Sequence, residues 1–413
     1  MKKFLTIALA MMLVLGLCST ALADITLANL KVEIDVPLKA YAEAYGAEHG
    51  FNVKVDTFGG GQDYHGMVMA ALQSNEMYDI FMIEGIGGYN TWKDLLADLT
   101  GQPFVDATSL AYAPEGKVVG FPIAVEGFGI GYNADILEAA GIDPATLTTL
   151  SAFEAACAKL EGMKDELGIV APIAIAASTS GGMWWVASQH NFNAYWKGNL
   201  AYDDSSIVDM ALNGQVDRER LTQYAKFLRV MCDYADQDVL LNGNYDAQVN
   251  LFGTGKAAFI QQGNWTDPNF AGLGATFTRG YIAEVWTEEP TTAIMVAAPS
   301  YFVVNAASEN LDQAIQFLND MALTEAGQNY MVKEAGMVPA FSGVTVSPDG
   351  QFSIAVMNAA GSGDVFGWGF AEMPDGFNMD VLGPIFELYA AGVYDLDGFV
   401  DAVAEAIATI PGL

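Results

Sequence analysis

Basic side chains are scarce in this 413-residue chain, with 17 Lys and Arg against 50 Asp and Glu and a formal charge of −33. That balance excludes a nucleic-acid binder, because neutralising phosphates takes clustered cations. Histidine and cysteine number only three each, and there is no C-x-x-C, H-E-x-x-H, G-x-S-x-G or phosphate-binding loop. His49, His65 and His190 lie far apart in sequence. A zinc site or a hydrolase triad would have to be assembled from almost nothing, so no metal, cofactor or catalytic residue is expected. Cys157 and Cys232 fall in amphipathic patterns and are expected as buried free thiols. What is plentiful is apolar: 52% hydrophobic and 11% aromatic residues can bury a core, so the chain is globular. Its length exceeds what one core usually fills, and two domains are expected.

Long hydrophobic runs are confined to the beginning. Lys2 and Lys3 precede an apolar stretch over 4–17 and a small-residue site, Ala21-Leu22-Ala23. This pattern reads as a secretory signal peptide over 1–23, too short for a membrane span. Cys18 leaves a lipid-anchored form as the alternative, although Leu17 stands where a small residue usually precedes an acylated cysteine. Removal of 1–23 deepens the charge to −35, since it takes away two lysines and no acid.

Beyond it, strand and helix patterns alternate. A strand near 25–32 is followed by a helix with Leu38, Tyr41, Ala42 and Tyr45 on one face, stopped by Gly50. Phe51, Val53 and Val55 alternate with polar residues, Gly59-Gly60-Gly61 turns into a second helix, and 78–83 is a buried strand ending at Glu84. Single helices between strands imply a mostly parallel sheet, with ligand loops at 29–33, 59–64 and 84–89, outside the carboxyl ends of the strands. The segment 117–133 is extended and glycine-punctuated, a flexible crossing between domains, and 297–305 has the same character. A second α/β unit follows the first crossing, where Ser151 and Glu154 form a capping box behind Leu150.

Six of seven tryptophans lie beyond position 180, several beside glycines: Gly181-Gly182-Met183-Trp184-Trp185, Gly263-Asn264-Trp265 and Gly367-Trp368-Gly369. Helical periodicity does not account for a glycine-flanked Trp, whose flat face suits the C–H patch of a pyranose. Core filling is the alternative for each ring taken singly. Glu84 and Glu126 stand where open α/β sheets hold ligands; they could accept sugar hydroxyls or act as a glycosidase's acid pair. The Asp203-Asp204 and Glu288-Glu289 pairs read as solvated surface.

GGGQDYHGMVMAALQSNEMYDIFMIEG (59–85), KVVGFPIAVEGFGIGYNADILEAAGID (117–143), GKAAFIQQGNW (255–265), TEAGQNYMVKEAGMVPAF (324–341) and PDGFNMDVLGPIFELYAAG (374–392) resemble, in the same order, the extracellular solute-binding proteins that deliver carbohydrates to ABC importers. The resemblance implies an α/β, two-lobed periplasmic-binding-protein-like (Venus-flytrap) fold of type II, each lobe a mostly parallel sheet flanked by helices. Lobe I would be 24–126 plus 301–341, and lobe II 127–300 plus 342–413. The implied ligand contacts are Asp63, Tyr64, Glu84, Glu126, Trp184, Asn264, Trp265, Trp368 and Asp375. The first strand departs from the pattern, with Ala28-Asn29-Leu30 where many relatives place an aromatic, and so does Leu150, where they often have Trp. The expected molecule is an exported, non-enzymatic monomer that captures a mono- or oligosaccharide and meets the permease subunits at the periplasmic or outer cell surface. A receptor for a peptide, amino acid or polyamine, and a secreted glycosidase, are the alternatives.

Overall fold

The computed structural model describes residues 24–412. The expected signal peptide and Cys18 lie outside the described residues. Eleven strands build two sheets among the described residues: β1 (Asp24–Asn29), β2 (Asn52–Thr57), β3 (Ile80–Glu84), β4 (Gly120–Pro122), β5 (Glu126–Asn133), β6 (Ala171–Ala174), β7 (Ala257–Gly263), β8 (Arg279–Ile282), β9 (Ile294–Ala297), β10 (Ser300–Val304) and β11 (Val365–Phe366). The first sheet has the order β2-β1-β3-β10-β4; the second has β11-β9-β5-β7-β6, with β8 also on β5.

The helix-separated strands β1, β2 and β3 are parallel, as are β6 with β7 and β9 with β11. Strands that carry the chain from one sheet to the other enter against that direction. β10 is antiparallel to β3 and β4, and β5 is antiparallel to β7, β8 and β9. Both sheets are therefore mixed, the parallel part being the part joined by crossover helices.

Period-two alternation fixes the first core. Ile80 and Met82 point into one apolar cluster with Leu27 and Phe302, while Phe81 and Ile83 join Ala28 and Val303 on the opposite face. The helix Asp35–His49 buries Leu38, Tyr41, Ala42 and Tyr45, and ends where Gly50 turns left-handed. A larger core fills the second lobe and takes in Trp196 and Trp286. Cys157 and Cys232 are buried and unpaired. No described helix is long and apolar enough to cross a membrane.

Two local expectations change. The helix Leu150–Gly162 is capped by Thr149, whose side chain accepts from Ala152 N, not by a Ser151–Glu154 box. The backbone N–H and hydroxyl of Ser151 donate instead to Glu288, at 3.0 and 2.7 Å. A carboxylate from a distant loop thus neutralises the helix start, with Glu288 itself remaining exposed at the surface. The glycines of β5 are also not there for flexibility. A Cβ on Gly129 would lie 2.4 Å from the carbonyl oxygen of Ile282, and one on Gly127 2.7 Å from Val356 in the helix Gln351–Ser362. They let neighbouring backbone and helix press against the crossing strand.

Candidate ligand-binding cleft

The loops that follow β1, β2 and β3 meet the second lobe at their carboxyl ends, the place open α/β sheets reserve for ligands. There they line a cavity of about 730 Å³, open at its mouth, together with Glu126, Trp184, Trp185, Gln189, His190, Tyr245, Trp265 and Trp368. The first lobe contributes Lys31, Glu33, the Gly60–Gly61 turn, Gln62 and Glu84. The second supplies the aromatic wall.

His190 is the hub of that wall. Its ring lies 4.9 Å from Trp265 and 5.5 Å from Trp368, and Trp185 meets it edge-on at 5.3 Å. Desolvation among these rings, helped by the nearby Lys31 charge, pushes the imidazole down to about 3. It is therefore a neutral, aromatic element at physiological pH. A π-helical turn, Val186–Asn191, presents Gln189 and His190. Trp265 is oriented from behind: its indole N–H donates to Gln262 at 2.8 Å, and Gln262 donates to Gln248 at 3.0 Å.

Charge is concentrated on the floor. The Lys31 ammonium contacts the Glu126 carboxylate directly and lies 3.9 Å from Glu33. Burial would lower Lys31, but Glu126, and after it Glu33 and Glu84, outweigh burial and hold it above its ordinary range. Glu33 goes the other way. Burial pushes it up to about 7 despite Lys31. Glu84 is also raised by burial, although it accepts a hydrogen bond from Ser300 Oγ at 2.9 Å.

Of the nine residues singled out in the sequence, Glu84, Glu126, Trp184, Trp265 and Trp368 converge on this cavity. Asp63, Tyr64 and Asp375 line an adjoining one of about 1290 Å³, which shares Glu84 and Trp184 with the first. Tyr64, Asn264, Asp375 and Asp63 also have structural commitments of their own. The hydroxyl of Tyr64 donates to Ala28 O at 3.2 Å and accepts from Met82 N at 2.7 Å, so it ties β1 to β3 and is not free for a ligand. Asn264 is 2% exposed and lines neither cavity. It accepts from Gly127 N at 2.9 Å and donates to Ser353 Oγ at 3.3 Å, fastening the crossing strand beneath Trp265. Asp375 binds across the cleft, accepting from His65 Nδ1 at 2.9 Å and Thr91 Oγ1 at 3.2 Å. Asp63 caps the helix Tyr64–Gln73 through Gly66 N at 2.8 Å.

Lys31, Glu33, Trp185, His190 and Tyr245 were not singled out. The 29–33 loop was, but a Lys and a Glu two residues apart read as a solvated pair until their burial is known. Trp185 adjoins Trp184, and that proximity was the available signal. Near the Asp375 clasp, on the loop that leads to His65, Gly61 meets Gly182 backbone to backbone. A Cβ on Gly61 would lie 2.3 Å from the Gly182 Cα. Both glycines have positive φ, +93° and +70°.

Among the described residues no group of His, Cys, Asp and Glu is arranged to hold a metal ion. The fold is that of several sugar-bound proteins. The SBP RafE in complex with raffinose superposes with a TM-score of 0.76 at 18% identity, covering 94% of this chain and 100% of that one. A sugar transporter protein from Bacillus licheniformis in complex with stachyose gives the same TM-score of 0.76, identity of 18% and coverages of 94% and 100%. A chitin oligosaccharide binding protein gives 0.76 at 16% identity, with coverages of 95% and 100%. A search among curated protein sequences returned no match. Residues 40–358 match the family model described as bacterial extracellular solute-binding protein, and the chain belongs to that family.

Proposed function

We propose that this chain is the extracytoplasmic substrate-binding component of an ABC importer, and that it captures a carbohydrate between its lobes for delivery to the permease. One observation carries the reading: the interlobe cavity joins an aromatic wall of Trp184, Trp185, Trp265 and Trp368 to a carboxylate floor. A pyranose presents the complementary pair, an apolar C–H face and a ring of hydroxyl donors. The sugar ligands of the structural neighbours support the choice. The family supports an exported location, in a periplasm or at the cell surface.

Trapping by lobe closure couples capture to transport, because a ligand that touches both lobes favours the closed form. Here Glu84 and Lys31 come from one side and the tryptophans from the other. Calorimetric titration with a panel of mono- and oligosaccharides tests the proposal. Trp265→Ala should cost about 2 kcal/mol of affinity for the sugar that binds, the usual loss at a buried aromatic anchor. Unchanged affinity would remove this wall from the site, and sustained release of reducing sugar from an oligosaccharide would replace the receptor with a glycosidase using Glu84 and Glu126.

A further inference from the structure

We propose that the ligand of the cleft carries a protonated amine, as an amino sugar whose ammonium is held by the carboxylates of Glu33 and Glu84. The proposal rests on the carbohydrate reading and narrows its substrate class.

The first observation is a charge imbalance in a desolvated place. Three carboxylates, Glu33, Glu84 and Glu126, share the lining with one cation, Lys31, and His190 stays neutral. Lys31 is committed to Glu126 by direct contact. Glu33 has, besides its own backbone N–H, that ammonium at 3.9 Å, beyond hydrogen-bond length, although its side chain is only 9% exposed. Glu84 has only the Ser300 hydroxyl, at 2.9 Å. Buried carboxylates without a matching cation are costly, and both have reacted to that cost by resisting ionisation. A ligand cation would relieve it.

The second observation concerns hydrogen-bond bookkeeping. A neutral sugar hydroxyl both gives and takes, so a site for a neutral sugar needs donors and acceptors in similar measure. On this floor three carboxylates, Glu33, Glu84 and Glu126, face a single ammonium, Lys31. An ammonium offers three N–H donors, accepts nothing, and is attracted to the faces of the surrounding indoles. The indole N–H groups of Trp184 and Trp368 complete the picture: both residues line the cavity and neither N–H has a protein partner. Such donors suit hydroxyl oxygens, which a bare polyamine lacks. An amine and hydroxyls on one small molecule satisfy both sets.

The test pairs each amine with its neutral counterpart: glucosamine against glucose, and the β-1,4-linked glucosamine disaccharide against cellobiose, with spermidine and choline alongside. Calorimetric titration of the full chain at pH 7 should show at least one amino sugar binding about tenfold or more tighter than its neutral partner. In Glu33→Gln that ratio should collapse toward one, with the variant's melting curve serving as the check on folding. The wild-type ratio needs no variant, so poor folding of Glu33→Gln leaves the test intact. Equal or tighter binding of the neutral partners, or an unaltered ratio in Glu33→Gln, overturns the amine assignment. If those neutral sugars also depend on Trp265, the carbohydrate reading survives it. Absence of binding by any sugar, with or without binding of spermidine or choline, overturns both.

Discussion

Lys31 sets the polarity of the cleft floor, and its loss should be felt before any ligand is added. Replacing it by Met leaves the Glu126 carboxylate, 6% exposed as a residue, without its contact. A cost of about 3 kcal/mol in urea unfolding is expected, because breaking a buried pair strands the remaining charge. Glu33 makes a pH-dependent contribution of its own. Its folded pKa, about 7, lies above the ordinary 4.5. Below pH 4.5 both folded and unfolded states hold the proton; between 4.5 and 7 the unfolded state releases it first, and stability falls as pH rises. Denaturant midpoints measured from pH 4 to 8 should show this decline, and Glu33→Gln should flatten it. The tryptophans were legible in the sequence because a Trp between glycines has no helical face to fill. Lys31 and Glu33 were not, because only tertiary burial separates a charged pair in a cleft from one on the surface. The contacts of Asn264 were hidden for a related reason: it adjoins Trp265, yet its side chain reaches back to Gly127 and Ser353.

Among the elements, β5 is the member on which both lobes depend. Its first residue, Glu126, faces the cavity, while its glycines admit Ile282 and the helix Gln351–Ser362 at close range. Gly129→Ala should therefore destabilise the protein by about 1–3 kcal/mol, the usual cost of overpacking, as read by thermal or urea unfolding. The backbone carbonyl it meets cannot swing aside as a side-chain tip could. The alternating strands and the helix over Leu38 to Tyr45 could be read from periodicity, since each buries one face. The direction of the crossing strands could not, because an extended, glycine-rich segment carries no record of which sheet it joins. The cap of the helix Leu150–Gly162 was hidden for the same reason, as Glu288 arrives from 137 positions away.

For the molecule as a whole, closure has an electrostatic component at the rim. Asp375 in the second lobe meets His65 and Thr91 in the first. The hydrogen bond to Asp375 raises His65, against a smaller opposing effect of burial and with added pull from Asp375, Asp63 and Asp380. Burial acts to raise Asp375, but His65 and Thr91 outweigh it and hold it below its ordinary range. The His65 contribution is complete below its ordinary 6.5 and fades as pH rises through the raised value. That of Asp375 is present above its ordinary 3.8 and is lost as pH falls through the depressed one. The clasp is thus strongest between about pH 4 and 6.5. Ligand affinity should drop from pH 6 to 8.5 by no more than about fivefold on this account, since an exposed pair is screened by solvent. Both side chains are more than a third exposed. His65→Gln should remove that component from the pH profile measured by calorimetry.

The rim also closes on Gly61 and Gly182, which meet main chain to main chain. A contact made of main chain has no tolerance for a wedge: one methyl group at either position is thicker than the gap. Gly182→Ala would work as a doorstop, holding the jaws ajar while every wall residue and the His65–Asp375 clasp remain chemically intact. Such a variant separates grasping from shutting, since its scattering profile with saturating ligand should stay that of the unliganded wild type.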